Sequence, residues 1–339
     1  MGHGSRLMRS TPWEKWHSAM TRKVGFLIFP GVTLMDVSGP AEVLSRAPGY
    51  DIVRFSPQGG TVETSSGFAI AETAQPSLVD AASLDTLIIP GADLLPDQPW
   101  PDGLLDTAQF LISNMPGTHR IASVCTGAFV LAELGLLDGR QATTHWRNTR
   151  ELAKRYPKIK VDHDTLHVHD GRFITSAGIT AGIDLALSLV EEDHGAATAR
   201  TIAQDMVVFM QRPGGQSQFV SHDIPTTVNN SIVRKAMDIF NADPQGHHSL
   251  ASLANSVAVS PRHLGRLFQQ EMGMSPGRWI EKMRLYTAQE LILEGYSITA
   301  AARHSGFGND ENLRRSFERR IHMSPTEYRA RFGTTFPEN

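Results

Sequence analysis

Cys125 is the one cysteine of the chain, and it stands in ASVCTGAFVLAELGLL, where apolar strand-forming residues run up to it and an apolar helical pattern starts directly behind. That order predicts a thiol on a sharp strand-to-helix turn, a position suited to a nucleophile. Free amides at the start of the helix, with its dipole, favour the thiolate and can hold an oxyanion. Gly127 fits the close approach such a turn needs. A different chemistry is carried by SPRHLGRLFQQEMGM, residues 260–274. Read at 3.6 residues per turn, Leu264, Leu267 and Phe268 form an apolar stripe, and Arg262 and Arg266 share another face. Guanidinium groups held this way can reach base edges or phosphates of a duplex.

The elements that must position those arginines are short and well marked. Ser260 is placed to cap the helix, Pro261 suits its first position, and Gly273 suits the left-handed residue that ends it. Leu250, Leu253, Ala254 and Val257 put a second helix immediately before it, which predicts a helix-turn-helix over about 250–271. A second copy over about 298–321 begins with Ile298, Ala301 and Ala302, breaks at Gly306-Phe307, and continues in DENLRRSFERRI. There Leu313, Phe317 and Ile321 face inward, and Asp310, Glu311, Arg314, Arg315 and Glu318 face outward. PGRWIEKMRLYTAQELILEG, with Trp279, Met283, Tyr286 and Leu291 buried, is one connecting helix. Two readers on a stiff spacer can enter successive major grooves, about 34 Å apart.

Residues 231–332 resemble the DNA-binding domain of the AraC/XylS family of bacterial regulators. The resemblance rests on Ser260-Pro261-Arg262, Leu264, Arg266, Phe268, Gly273 with Ser275-Pro276, Arg284-Leu285, Ala288 and Leu291, then Ile298, Ala301-Ala302, Gly306-Phe307, Phe317, Ser324-Pro325 and Tyr328-Arg329. It implies duplex DNA as partner, with Arg262, Arg266, Arg314 and Arg315 at base edges or phosphates and Glu311 and Asn312 as secondary candidates. His322 departs from the pattern, where the second copy usually has glycine. A histidine is less tolerant of positive φ, so the helix end is expected to be strained or differently shaped.

Length and composition bound these readings. A chain of 339 residues, 40% hydrophobic and 20% charged, suggests two soluble globular domains. The net charge of −3 divides unevenly: residues 231–339 hold 14 Lys+Arg against 11 Asp+Glu, and the first 230 hold 18 against 24. The positive end is the helix-turn-helix end. One cysteine excludes an intrachain disulfide, and no apolar run approaches the roughly 20 residues that cross a bilayer. A cytoplasmic bacterial protein without a membrane partner is expected, nucleoid-associated when bound to DNA. Residues 1–20 read as a mobile tail or an over-long start, with Met8 or Met20 as alternative starts and Trp13 and Trp16 unplaced.

From Arg22 the pattern changes. VGFLIF, DIVRFS, DTLIIPG, HRIASVC, QATTHW and RFITSAG read as strands; helical stretches begin after Asp36, Asp102, Thr126, Trp146 and Ile179, and around Ala196. The alternation predicts an α/β fold with a doubly wound, mainly parallel sheet, in which ligands bind beyond the carboxyl ends of the strands. Asp36 reads equally as a helix N-cap or a pocket residue, and His145 as a core or a pocket histidine. His163, His167 and His169 invite a metal, but three ligands with a second shell are not visible, and a hairpin turned at Asp170-Gly171 is the reading adopted. No metal and no cofactor is expected.

Residues 22–195 resemble the flavodoxin-like ThiJ/PfpI family, related to glutamine amidotransferases. The matching strings are FPGVTLMDVSGPAEVL, LIIPGA, SVCTGAFVLAELGLLDGRQATTHW and FITSAG, and the isonitrile-hydratase-like members share FPGVT, D-x-x-GP and VCTG…ATTHW. The resemblance implies Cys125 at the nucleophile position, Asp36 as the acidic residue beside it, Gly91 as a backbone donor, and Thr126 and His145 lining the same pocket. Ser123 stands where amidotransferases have the first glycine of their elbow, which argues against glutamine hydrolysis.

The whole is read as a tail (1–20), a ThiJ/PfpI-like effector-sensing domain (21–211), a Pro-, Gly- and Ser-rich linker (212–230), an all-α double helix-turn-helix domain (231–332) and a tail (333–339). Regulators that join these two domains form a known subgroup, and this chain resembles them across nearly its full length. A transcription regulator, homodimeric through its front domain, is the reading, with a nitrogenous or amino-acid-derived effector suggested by the resemblance. The alternatives are a cysteine-dependent hydratase or hydrolase using Cys125 with Asp36, and a redox sensor through Cys125. No catalytic residue is assigned, because a fused DNA reader needs a pocket that binds and no turnover.

Overall fold

The computed structural model describes residues 21–332 apart from 94, 97–98, 118, 211–214, 217–227, 229 and 247. The expected tails, with Met8, Trp13, Trp16 and Met20, lie outside the described residues, as does most of the expected linker with Phe219, Val220 and Ile224. The chain divides into two compact units, Met1–Arg212 and Pro213–Asn339.

In the first unit, β1 (Arg22–Leu27), α1 (Leu34–Arg46) and β2 (Tyr50–Phe55) are followed by a hairpin of β3 (Gly60–Glu63) and β4 (Ala69–Thr73). Then come α2 (Leu78–Ser83), β5 (Thr86–Ile89), α3 (Leu104–Asn114), β6 (Arg120–Val124) and α4 (Gly127–Glu133). The unit continues with β7 (Gln141–Ala142), α5 (Thr149–Arg155), β8 (Lys160–Val161), β9 (His167–Asp170), β10 (Phe173–Ser176), α6 (Ala181–His194) and α7 (Ala196–Asp205). The main sheet has the order β2-β1-β5-β6-β10-β9. Its strands are parallel except β9, which pairs antiparallel with β10. Every residue of β5 and β10 is buried, as befits strands covered on both faces. The chain passes from β1 outward to β2 and returns on the other side at β5, so the carboxyl ends of β1 and β5 flank a topological switch point.

The expected strand QATTHW is shorter than its pattern suggests. Only Gln141–Ala142 pairs, and with β8 rather than the main sheet. Thr143 turns to other partners: its amide donates to Thr175 Oγ1 at 2.8 Å and its hydroxyl to the Asp162 carbonyl at 2.9 Å. The β9-β10 hairpin turns at Asp170-Gly171 as expected, with Gly171 at φ 62°.

At the amino-terminal edge of the sheet, charges form a clasp. Arg120, at the start of β6, donates to both oxygens of Asp193 at 3.1 and 2.7 Å and to Thr86 Oγ1 at 3.1 Å. Arg22 stands 3.4 Å from Asp193, and the Tyr50 hydroxyl donates to it. The starts of four strands are thereby tied to the last turn of α6. Burial alone pushes the Asp193 carboxyl up, but the hydrogen bonds from Arg120 and Tyr50 take it below the usual carboxylate range.

The second unit contains α8 (Ser231–Ala242), α9 (Leu250–Ser256), α10 (Pro261–Met272), α11 (Pro276–Leu293), α12 (Ile298–His304), α13 (Asp310–Ile321) and α14 (Pro325–Phe332). Side chains of Asn230, Ser249, Ser260, Ser275, Ser297 and Asn309 cap α8 to α13 in turn, which explains why such short helices have sharp starts. Two cores share α11. Trp279, Ile280, Met283 and Tyr286 join the core of α8–α10, while Leu285, Ala288 and Ile292 join that of α12–α14. In α8, Val233, Ala236, Met237 and Phe240 are buried and Ile232 and Ile239 are half-buried. Two details differ from expectation. Leu291 of α11, expected buried, is only half-buried against the core of α12–α14. Leu250, at the first position of α9, is 37% exposed because the turn it begins faces solvent.

His322 ends α13 at φ 59°, ψ 29°, close to Gly273 at φ 66°, ψ 12° in the first copy. The two ends have one shape, so of the expected alternatives it is strain that remains. His322→Gly is expected to stabilise the second unit by about 0.5–1 kcal/mol in denaturant unfolding, since glycine removes the left-handed penalty and returns part as chain entropy; a loss of stability would contradict this. Asp193→Ala is expected to destabilise the first unit by roughly 2 kcal/mol, because it takes the shared acceptor from Arg120 and the Tyr50 hydroxyl and leaves Arg120 only the exposed Glu192 at 3.2 Å. A change below about 1 kcal/mol in its urea midpoint analysis would show the clasp to be an ordinary surface pair.

Candidate functional site

The carboxyl ends of β1, β5, β6 and β10 bring together residues far apart in sequence. Cys125 follows β6 directly and adopts φ 57°, a left-handed conformation that costs a non-glycine residue about 1–3 kcal/mol. The surroundings hold it there. Its amide donates to the carbonyls of Ser176 and Ala177 at 3.1 and 3.3 Å, and its own carbonyl accepts from the Thr144 hydroxyl at 2.7 Å. The Thr126 hydroxyl donates to the Ala92 carbonyl at 2.8 Å and accepts from the Ala92 amide at 2.9 Å. A Cβ on Gly127 would lie 2.1 Å from the Ile89 carbonyl oxygen, so α4 can start this close to β5 only at a glycine. The elbow read from the sequence is therefore present, and a packed backbone supports it.

Asp36 corrects one expectation. Thr33 is the N-cap of α1 and Asp36 lies within the first turn, wholly buried, with its carboxylate turned to the sheet ends. One oxygen accepts from the Gly91 amide at 3.1 Å and the other from the Ile179 amide at 3.0 Å, and the Cys125 thiol shares a hydrogen bond with the same group. Burial raises its pKa to about 6 against these lowering hydrogen bonds. The Gly91 donor expected from the sequence is thus spent on Asp36, and the neighbouring Ala92 amide is spent on Thr126.

The thiolate expectation is overturned as well. Burial, and then the negative charge of Asp36, push the Cys125 thiol well above its usual value, and the amide of Thr126 offsets only part of this. α4 has seven residues, too short for its dipole to outweigh desolvation. His145 is half-buried on the other side of the thiol. A Cβ on Gly178 would fall 2.1 Å from His145 Cδ2 and 3.0 Å from Cys125 Sγ, so the absent side chain of Gly178 is what lets the two approach. Burial and then Arg147 hold the imidazole below its ordinary pKa, and its Nδ1 accepts the Arg147 amide at 3.3 Å, which leaves the neutral ring with Nε2–H to donate.

All five expected pocket residues, Asp36, Gly91, Cys125, Thr126 and His145, gather at this end of the sheet, with Gly91 and Thr126 acting as framework. Sequence reasoning missed Gly178, Ile179 and Asp93. Ile179 is at φ 54° and 43% exposed, and Met35, next to Asp36 in the chain, is 41% exposed. Asp93, exposed, adds negative charge felt by Asp36, Cys125 and His145. The signal available was SAGIT straight after a strand, where a glycine and an αL residue mark a close approach. His167 and His169 share a face of β9 with rings 5.3 Å apart, and among the described residues no group of three His, Cys, Asp or Glu could hold a metal.

In the second unit, the expected DNA-facing residues Arg262, Arg266, Glu311, Asn312, Arg314 and Arg315 are all exposed. Their electrostatics differ between the copies. Among the described residues no carboxylate pairs with Arg262, and Arg266 meets only His263 Nδ1 at 3.2 Å. Arg314, by contrast, is forked between Glu311 at 3.0 Å and Glu318 at 2.7 Å, and Arg315 reaches Glu311 at 3.2 Å. Asn312 spends its amide on the Phe307 carbonyl at 3.1 Å and its oxygen on Arg315 at 3.3 Å. α10 thus offers bare cations, and α13 offers cations already matched to its own acids.

The thiol's state is directly measurable. Iodoacetamide should alkylate Cys125 in the folded protein far more slowly than a free cysteine near neutral pH, with the rate still rising into the alkaline range. Asp36→Asn should accelerate it by removing the neighbouring charge. Rapid alkylation at neutral pH that is insensitive to Asp36→Asn would contradict this electrostatic picture.

Comparison with known proteins agrees with both units. Residues 22–192 match the model of the DJ-1/PfpI family and residues 253–331 that of a helix-turn-helix domain. The chain is 29% identical to the HTH-type transcriptional regulator CdhR of Pseudomonas aeruginosa, covering 92% of each chain. It is 28% identical to the HTH-type transcriptional regulator GlxA of Rhizobium meliloti, covering 94% of this chain and 98% of that one. To the isonitrile hydratase of Pseudomonas putida it is 34% identical, over 54% of this chain and 77% of the enzyme. Fold, elbow and paired helices converge on one assignment: the chain belongs to the DJ-1/PfpI family, in its branch of AraC-type helix-turn-helix transcriptional regulators.

Proposed function

We propose that this transcriptional regulator binds a small-molecule effector at the Asp36–Cys125–His145 end of its first unit and reads duplex DNA chiefly through α10 of its second. The observation that carries the DNA half is the pair of exposed arginines, Arg262 and Arg266, opposite the buried stripe of Leu264, Leu267 and Phe268. Free guanidiniums on a capped helix can fork onto the O6 and N7 of guanine. Arg314 and Arg315 must first exchange their own carboxylates, so α13 contributes more to orientation than to base choice. Two weak readers gain from duplication on a symmetric site, and a homodimer in the cytoplasm is the form that suits this.

The effector half rests on the end of the sheet. A carboxyl titrating near pH 6, a neutral imidazole and the exposed apolar side chains of Met35 and Ile179 suit a small ligand that donates hydrogen bonds, such as a nitrogenous or amino-acid-derived compound. A hydratase or hydrolase built on Cys125 has the strained elbow in its favour. Against it, the thiol is held protonated and the nearby amides of Gly91 and Ala92 are already engaged, which leaves neither an activated nucleophile nor those donors for an oxyanion. The same raised pKa opposes a redox sensor, because oxidation proceeds through the thiolate.

Gel-shift titration separates the two roles of arginine. Arg266→Ala should cost ~1–3 kcal/mol of discrimination between the selected site and scrambled DNA. Equal affinity of wild type and variant for both duplexes would remove Arg266 from the interface. For the effector, a thermal-shift screen of the whole chain against nitrogenous metabolites should find a ligand whose stabilisation disappears in Asp36→Asn.

A further inference from the structure

A second concave site lies within the DNA-binding unit. A cleft of about 290 Å³ opens between α11, the turn joining α12 to α13, and the flank of α13, with Arg284, Gly306, Asn312, Arg315, Ser316 and Arg319 on its walls. Three of these are arginines and none is a carboxylate. Arg319 is held by Glu281 of α11, and exposed Arg315 pairs with Glu311 at 3.2 Å and donates to Asn312 at 3.3 Å, which leaves its remaining N–H donors available. Arg284 is the unusual one. It is half-buried, its Nη2 donates to the Gly246 carbonyl at 2.7 Å, and its Nε is buried with no acceptor. Among the described residues no carboxylate pairs with it, and burial alone lowers its pKa.

Leaving a guanidinium partly desolvated without a counter-charge is costly unless an anion completes the site. The backbone is shaped around it as well. Gly306 sits at φ 83°, and a Cβ there would lie 2.6 Å from the Pro244 carbonyl oxygen and 2.7 Å from Arg284 Nε. A side chain at this position would therefore both strain the turn and close the cleft on Arg284.

We propose that this cleft is a phosphate site, in which Arg284 of α11 and Arg315 and Arg319 of α13 take one phosphate group between them. The proposal rests on the reading of this unit as a DNA binder for one source of that phosphate, the duplex backbone; the other source is a free phosphorylated solute. A backbone phosphate held here would fix the angle of α13 without reading a base, which suits a helix whose outward arginines are largely paired with its own acids.

The test uses the full chain as wild type, Arg284→Gln and Arg315→Gln. In the first arm, melting midpoints are compared in sodium phosphate and in sodium chloride at equal ionic strength. In the second, affinity for a duplex of arbitrary sequence is followed across a salt series. The expected result is a phosphate-specific rise in the wild-type midpoint that both variants lose, with weaker binding to all duplexes and a salt slope smaller by about 0.9 for the lost contact. Loss of the phosphate effect with an unchanged slope would assign the cleft to a free phosphorylated solute. Variants that keep both the midpoint rise and the slope would overturn the proposal. Should wild type bind no duplex at all, the DNA-binding reading fails while the phosphate arm still decides the cleft. Arg315 is exposed, so its variant serves even if Arg284→Gln does not fold.

Discussion

A carboxyl group removed from water organises the carboxyl-terminal end of the first unit's sheet. Asp36 can be buried there only because the Gly91 amide after β5, the Ile179 amide after β10 and the Cys125 thiol after β6 all point at it. Each of those donors is in turn placed by a local compromise. Cys125 and Ile179 accept positive φ, Gly127 gives up a side chain against the Ile89 carbonyl, and Gly178 gives one up between His145 and the thiol. The arrangement explains why a position shaped like a nucleophile elbow behaves unlike an activated one. The group that anchors the loops is also a negative charge beside the sulfur, and it holds the proton on it. The geometry inherited with the fold and the electrostatics of the site thus point in different directions.

In the second unit the corresponding question is where each arginine finds its counter-charge. Arg314, Arg315, Arg319 and Arg320 are matched by Glu311, Glu318 and Glu281 within the protein. Among the described residues no carboxylate matches Arg262, Arg266 or Arg284. Exposed pairs of the first kind are weak and exchangeable. Unmatched guanidiniums gain most from an external anion or base edge. Two helices of similar shape on one shared α11 therefore come out chemically unequal, one with unmatched guanidiniums and the other with guanidiniums paired to its own acids.

Much of this was legible in the residue order. Ser260, Pro261 and Gly273 announce α10 because capping and φ preferences act locally. Buried strands such as TLII stand out because both faces are apolar, and Cys125 stands out because strand and helix patterns meet at it. What escaped depends on contacts made across the fold. Ile179 acts through a backbone amide and Gly178 through a missing side chain, so neither has a chemical signature of its own. Asp36 looked as much like a cap as a pocket residue because burial of a carboxylate is decided by loops 55 and 143 positions away. The raised pKa of Cys125 escaped for the same reason: a helix start is visible in sequence, but the desolvation that outweighs it is not. β3 and β4 were unread because they are short and mostly exposed, with only Val62 and Thr73 buried, so they carry no buried period.

The central claim is that α10 and α13 engage consecutive turns of one duplex, with α10 choosing the sequence. Selection of bound duplexes from a random pool with the full-length protein, followed by hydroxyl-radical footprinting of the winners, tests it most directly. The account predicts two protected patches on one face of the duplex, centred about 10 base pairs apart, with sequence enriched strongly under one and weakly under the other. A single protected patch, or a pool that never departs from random, would contradict it.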